Sequence, residues 1–264
     1  MKILSIVSSF RMDGNTSRVV SLIEDQLQKE AQKRKISLET ERITLGRTDV
    51  GTCRGCRLCF DKGERFCPLK DDLLSVRDKM LEADGYLIAS PVYVEDVNGI
   101  LKNWIDRMAF VCHRPALAGK SAFLITTSGG GSTGHALRTM DGALHAWGCR
   151  VAGRNRFRTG ALMEKKDIRL RYEKEIRRAA ELFVSNLVRG ADANPGWYSL
   201  IAFCIQQICW SKAEYQKNNP YDYQYWKDKG WLEPKCIYYI PLKDGMWKVR
   251  LARIFGGVIA RFFI

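Results

Sequence analysis

Along the first 190 residues the apolar positions switch repeatedly between two periods. Residues 3–7 form a short apolar run, the mark of a buried strand. Val19, Val20, Ile23, Leu27 and Ala31 then recur at helical spacing. Residues 36–43 alternate like a strand. Leu73, Leu74, Val76, Met80 and Leu81 predict the next helix, opened by Asp71 and Asp72, whose charge suits the positive end of a helix dipole. Residues 86–89 predict a third strand, stopped by Ser90-Pro91, and Ile100, Leu101, Trp104, Ile105 and Met108 a further helix. Residues 122–125 predict a fourth strand, ending in Thr126, Thr127, Ser128 and three glycines. A helix through Ala136, Leu137, Met140, Leu144 and Trp147 leads to a fifth strand at 149–152. Tyr172, Ile176, Ala179, Ala180, Phe183 and Leu187 mark a long last helix. Five βα units in succession predict an α/β domain with a doubly wound parallel sheet. Right-handed crossovers put its helices on both faces.

After Arg189 the character changes. Residues 191–264 hold five of the seven tryptophans and seven of the ten tyrosines. Asn194-Pro195-Gly196 reads as a linker. The expected division is a domain at 1–190 and a mostly helical, aromatic and basic extension at 191–264, with an extended piece at 237–240. Trp197, Trp210, Trp226, Trp231 and Trp247 are expected to be buried anchors of an arm folded over the sheet or onto a second subunit. Trp247, Leu251, Ile254, Val258 and Phe262 form a stripe flanked by Arg250, Arg253 and Arg261. Such a stripe packs on the body of the protein or a partner subunit, or lies on an anionic membrane.

Charge narrows the partners. Lys+Arg of 43 against Asp+Glu of 29 gives +14, a field that attracts acidic partners. No nucleic-acid-binding motif accompanies it, so nucleic acid is not expected. Nine cysteines and an N-terminal stretch without the length or cleavage site of a signal fit a reducing compartment, the cytoplasm. No apolar run reaches the ~20 residues of a membrane span.

Four of the cysteines crowd into one window. Cys53, Cys56, Cys59 and Cys67 are spaced C-x2-C-x2-C-x7-C, with Pro68 after the last and Gly63 able to turn the chain between. Three thiolates at this spacing can wrap one side of an iron–sulfur cube, and the fourth closes it. No second cysteine run exists, so all four are expected to hold one [4Fe–4S] cluster. Structural zinc also takes four cysteines, usually as two separated pairs. A thioredoxin-like redox site needs only two, at a helix start. Arg54, Arg57, Lys62, Arg65 and Lys70 outnumber Asp61 and Glu64 in the window, which should favour a reduced cluster.

The first strand runs into Ser8-Ser9-Phe10-Arg11-Met12-Asp13-Gly14-Asn15-Thr16-Ser17. It lacks both the dinucleotide fingerprint and the Walker pattern. Ser9, Arg11, Asn15, Thr16 and Ser17 at a helix N-terminus offer what a phosphate needs, although the last three could simply cap the helix. In a sheet of order 2-1-3-4-5, ligands bind beyond the strand ends where the order reverses. The loops at 8–17, 90–98 and 127–134 meet there. Pro91, Val92, Tyr93 and Val94 can form one wall, with Tyr93 against a planar ring. Ser128, Gly129, Gly130 and Gly131 let backbone approach the opposite edge. The cysteine loop follows the second strand and emerges at the same end.

These segments, with Leu101-Lys102 and Asp106-Arg107, resemble the iron–sulfur flavoproteins, which belong with the NAD(P)H-dependent FMN reductases of the flavodoxin-like superfamily. The resemblance covers about residues 1–190. Ser8 and Phe10 stand where that family usually has glycine and proline, and residues 191–264 are outside its minimal pattern. It implies a flavodoxin-like fold, FMN, a [4Fe–4S] cluster and a homodimer or tetramer in which flavin and cluster can meet across subunits. A single phosphate cradle without a pyrophosphate fingerprint favours FMN over FAD. The expected activity is flavin-borne oxidoreduction, with no catalytic side chain. Electrons would pass between NAD(P)H or an acidic ferredoxin-type donor and an acceptor. The alternatives are an electron carrier without a small-molecule substrate, or a redox or assembly protein held at a membrane surface by the last helix.

Overall fold

A computed structural model of the chain describes residues 1–190, 195–243 and 245–263. Its organising element is β1 (Lys2–Val7), whose alternate side chains enter two different cores. Leu4 and Ile6 pack with Met80, Tyr86, Leu101, Trp104 and Leu124. Ile3 and Val7 pack with Val19, Ile23, Leu27, Phe123 and Phe183. A strand apolar on both faces must be covered on both faces, which is why its neighbours are helices.

The covering helices are α1 (Asn15–Lys33), α3 (Leu73–Glu82), α4 (Gly99–Arg107), α5 (Gly134–Ala146), α6 (Lys165–Arg171) and α7 (Glu173–Arg189), while the single turn α2 (Leu58–Asp61) lies in the cysteine loop with no buried residue. They alternate with β2 (Glu39–Thr44), β3 (Gly85–Tyr93), β4 (Asp96–Val97), β5 (Ser121–Ser128) and β6 (Arg150–Arg158). The sheet order is β2-β1-β3-β5-β6, every one of these pairings parallel, with β4 paired antiparallel to β3. Leaving the two-residue β4 aside, this is the expected 2-1-3-4-5 order of a flavodoxin-like sheet.

Strand limits differ from the periodicity. β3 does not stop at Ser90-Pro91: both residues stay in register with Thr126 and Thr127, and the strand ends only at Tyr93. A tight hairpin through Val94 and Glu95, both at positive φ, then returns it to β4. β6 begins at Arg150 and reaches Arg158, well beyond 152. Its second half carries Arg154, Arg156 and Arg158 and reads as polar because it is an exposed edge. The expected long last helix from Tyr172 to Leu187 is α7, capped at Tyr172, and the short α6 precedes it.

The extension is helical: α8 (Trp197–Ser211), α9 (Ala213–Asn218), α10 (Pro220–Asp228) and α11 (Met246–Phe263). Asn194 of the expected linker lies outside the described residues. No strand forms at 237–240, where Tyr238 and Tyr239 instead pack into an aromatic cluster with Phe203, Trp226 and Trp231. Trp210, Trp226 and Trp231 are the expected buried anchors, but Trp197 and Trp247 are not: they are 38% and 64% exposed and meet each other edge-on at 5.8 Å. The stripe on the last helix also faces outward, because α11 packs on α8 through its smaller residues Val249, Ala252, Gly256 and Ala260.

Trp226 is fully buried, stacks on Phe203 and donates its indole N–H to the carbonyl of His113 at 2.7 Å. It belongs to the extension, yet its hydrogen bond is made to the sheet domain. Trp226→Ala should therefore cost about 3–5 kcal/mol, read as a lowered urea midpoint. A midpoint shift worth under ~0.5 kcal/mol would mean that the extension is not part of the cooperative core.

Candidate functional site

Two cavities open at the C-terminal end of the sheet, one at the phosphate loop and one at the cysteine loop. The first measures about 270 Å³ and gathers Ser9, Arg11, Asn15, Thr16, Pro91, Val92, Tyr93, Ser128 and Gly129. Three expected residues do not line it. Ser17 turns its hydroxyl to the carbonyl of Arg11, Val94 is fully exposed at the hairpin tip, and Gly130 lies beyond the wall. Thr127, Thr159, Gly160 and Ala161 line it as well. Thr159 to Ala161 follow β6 directly, so a strand read as ending at 152 gave no reason to look there.

The loop is built by its own hydroxyls. Ser9 Oγ accepts from the N–H of Arg11 at 3.1 Å, and the Thr16 and Thr127 hydroxyls share a 2.7 Å bond across the cavity floor. Asn15 spends its side chain on structure: Nδ2 donates to the carbonyls of Thr159, Gly160 and Ala161, and Oδ1 accepts from the N–H of Met163. Its contribution to a ligand is its backbone N–H. Asn98 Nδ2 donates to the Ser8 carbonyl while Oδ1 caps α4 through Leu101, which locks the loop to the third strand's hairpin. The segment leaving β2 comes up from below. A Cβ on Gly46 would lie 2.4 Å from the Ser9 carbonyl oxygen, so only glycine fits there.

What remains unsatisfied points to an anion and a polar ring. Gly14 precedes α1 with no side chain to cap it, leaving first-turn N–H groups free. Arg11 is exposed beside them. The Ser128 and Thr159 hydroxyls are buried without a partner, an arrangement that a bound polar molecule would complete. These groups fit FMN: a phosphate at the helix start and hydrogen-bonding ring edges near Ser128.

The second cavity measures about 220 Å³ and is lined by all four window cysteines, with Arg107, Phe110 and Leu73 behind them. Among the described residues, no three His, Cys, Asp or Glu side chains converge on a point for a single ion. The loop reaches this shape through positive φ at Gly55, Arg57 and Gly63. α4 holds its start: Asn103 Oδ1 accepts from the N–H of Cys53, and its Nδ2 donates to the carbonyls of Val50 and Gly51. Arg107, one turn on, is buried. It donates to Asp71 Oδ2 at 2.6 Å, to the Gly51 carbonyl at 2.7 Å and to Cys67 Sγ at 3.7 Å. Burial opposes the Asp71 charge, but Arg107 and the N–H groups of Gly51 and Leu73 outweigh it and hold the carboxyl below the usual range. Burial pushes the Cys59 thiol up, with the nearby Arg114 working against that rise.

Arg114 and the extension hold the far side. Arg114 donates to the Cys59 carbonyl at 2.8 Å, pairs with Glu64, and pairs with the fully buried Asp222 of α10. Asp222 also bonds His113 Nδ1 at 2.6 Å, and the His113 ring lies against Phe60 of the loop. Tyr221 covers Arg114 and sits where a side chain on Gly63 would be. The sequence held no signal for this contact, since Arg114 and Asp222 are 108 residues apart.

An open α/β sheet with an anion cradle at its switch point defines the flavodoxin-like class. A family model described as NADPH-dependent FMN reductase matches residues 1–157, more than half of the chain, and the protein belongs to that family. An iron–sulfur flavoprotein of Archaeoglobus fulgidus is 31% identical over 154 residues, covering 58% of this chain and 66% of the relative. An iron–sulfur flavoprotein of Methanocaldococcus jannaschii is 36% identical over 107 residues, covering 40% and 51%. The chain thus spans about half to two thirds of the length of these relatives. Among solved structures, RosB with a bound intermediate superposes with a TM-score of 0.56 at 17% identity, covering 71% of this chain and 79% of that one. The apo form of an NADH:FMN oxidoreductase gives 0.50 at 19% identity, covering 74% and 91%. These two likenesses speak to the fold.

The Arg107–Asp71 pair yields a pH-dependent prediction. Asp71 has a folded value below its unfolded one near ~3.9, so its contribution is full above that pH and fades as pH falls through the folded value. Arg107→Gln leaves a buried carboxylate unpaired and should cost about 3–5 kcal/mol at pH 7. Urea melts from pH 7 to pH 3 should show the deficit shrinking as pH falls, because the Asp71 carboxyl without Arg107 takes up its proton at a higher pH than the paired one. A deficit independent of pH would assign the loss to packing.

Proposed function

We propose that this protein is a flavin oxidoreductase that holds FMN at the ends of β1, β3 and β5 and a [4Fe–4S] cluster on Cys53, Cys56, Cys59 and Cys67. One observation carries the reading: four thiols line a single cavity at the same sheet edge as an anion cradle with two orphaned hydroxyls. A cavity of that volume suits a cluster better than a lone ion, and the relatives named as iron–sulfur flavoproteins support it. The family's description supports FMN. In this reading residues 1–190 carry both groups and residues 191–264 are an appended arm that braces the cysteine loop through α10.

When bound, flavin handles one or two electrons and the cluster one, so together they link hydride transfer to single-electron transfer. The chain's own part is to bind and tune. Arg11 and the first-turn N–H groups of α1 hold the phosphate. Pro91, Val92 and Tyr93 form one wall, and Ser128 with Gly129 the opposite edge. Arg107 donates to Cys67 Sγ, and Arg114 puts a second buried cation beside Cys59, which favours the more negative, reduced state. No side chain is assigned as acid or base.

NAD(P)H is the donor favoured by the family's description. A ferredoxin-type carrier is the other, favoured by the net charge of +14. A homodimer or tetramer would let flavin and cluster meet across subunits.

Anaerobically purified protein should contain four iron, four sulfide and one FMN per chain, as the proposed groups require. Stoichiometric zinc without sulfide would sink the cluster. Replacing Arg11 and Thr16 by Ala should raise the FMN dissociation constant by on the order of 10- to 100-fold, ~1.4–2.7 kcal/mol. Unchanged affinity would put the phosphate elsewhere. Saturable NAD(P)H oxidation separates an enzyme from a carrier that has no small-molecule substrate.

A further inference from the structure

α11 is amphipathic in an unusual direction. Its small residues face inward: Val249, Ala252, Gly256 and Ala260 are buried, and a Cβ on Gly256 would lie 2.9 Å from Cys204 Cβ of α8. The close approach sends the large residues outward. Trp247, Leu251, Ile254, Phe255, Val258 and Phe262 are all exposed, Ile254 at 62% and Phe262 at 80%. Singly exposed apolar residues are ordinary, but a contiguous row along four helical turns marks an interaction surface.

The charges around this row have one sign. α8 and α11 contain no Asp or Glu, while α11 carries Lys248, Arg250, Arg253 and Arg261. At 100° per residue, Arg250 and Arg261 fall along one border of the exposed row and Lys248 along the other. Arg250 and Arg261 are exposed and have no ion-pair partner among the described residues. At one end, Trp247 and Trp197 meet edge-on, both exposed, while the exposed Tyr198 that follows Trp197 sets its ring edge-on to His145 of α5. Aromatic rings with polar edges favour the headgroup level of a bilayer.

We propose that α11, with the first turn of α8, is a docking face for the surface of an anionic phospholipid bilayer. The apolar row enters the acyl boundary, and Arg250 and Arg261 meet lipid phosphates. Charge complementarity selects this occupant. A second copy on a two-fold axis would bring these arginines towards their own images, with no carboxylate in either helix to receive them. The contact is peripheral, because no helix among the described residues is long and apolar enough to cross a membrane. The inference does not depend on the flavin or cluster reading.

The test is flotation of the full protein with vesicles of phosphatidylcholine alone and with 30% phosphatidylglycerol. Wild type should float with the anionic vesicles and stay behind with the neutral ones. Arg250→Gln with Arg261→Gln should cut binding on the order of 30-fold, two charges at roughly fivefold each. Ile254→Gln with Val258→Gln should also lose binding while keeping the wild-type circular dichroism. Because the whole chain carries +14, unchanged binding in that apolar variant would overturn the proposal in favour of diffuse charge attraction. So would wild type that ignores anionic vesicles; light scattering would then show a dimer that the apolar variant breaks, assigning the face to a second copy. Should the apolar variant misfold, brominated phosphatidylglycerol must quench wild-type tryptophan emission, and no quenching overturns the proposal equally.

Discussion

The buried pair of Arg107 and Asp71 joins three segments that the chain order keeps apart. Arg107 closes α4, Asp71 precedes α3, and Gly51 begins the cysteine loop. From the end of α4 one guanidinium bonds to the other two, Asp71 and Gly51, and reaches Cys67 Sγ as well. Arginine is suited to this because its planar fork offers several donors in fixed directions and keeps its charge when buried. Asp71 is held in turn by the N–H groups of Gly51 and Leu73, so the pair is satisfied rather than merely neutralised. The shape of the cysteine cavity is therefore set from the sheet domain, before any contribution from the extension.

A second buried cation, Arg114 of the sheet domain, stands on the opposite side, and the extension holds it there. Arg114 is oriented by Asp222 and Glu64, and Glu64 is gripped by Arg77 at 2.6 Å. The loop thus lies between two guanidiniums, one fixed within the domain and one fixed through α10. A side-chain network of this kind is costly when half formed. That gives a physical reason for the extension to pack as tightly as Phe203, Trp226 and Trp231 make it.

Much of the sheet domain was legible because its strands are buried and its helices amphipathic. Residues 3–7 announced β1, and Val19 to Ala31 announced α1. Reading failed where a strand lay at the edge. β6 carries arginines through its second half, so its apolar signal faded and Thr159 to Ala161 were missed with it. The four cysteines and most residues of the cavity at the phosphate loop were readable from residue type and spacing. Asn98, Arg114 and Asp222 were not, since a buried polar partner 90 or 108 residues away leaves no local trace. The stripe on α11 was recognised as a stripe, but its direction depended on Gly256 packing against Cys204. That is a tertiary fact which amphipathicity alone could not supply.

The arginine-bearing edge of β6 has a consequence for how copies of this protein can meet. An open parallel sheet ends in unpaired backbone groups, and a bare edge invites another strand. Arg150, Arg154, Arg156 and Arg158 line this one. Arg154 pairs with Asp141 and Arg150 is turned to Ser121 and the Asn186 carbonyl, so two such edges brought together across a two-fold axis would oppose the exposed charges of Arg156 and Arg158. Growth of the sheet from one molecule into the next is thereby discouraged at its β6 side. The sheet's other edge, β2, carries no such row of arginines, so an assembly that extends the sheet would have to form there.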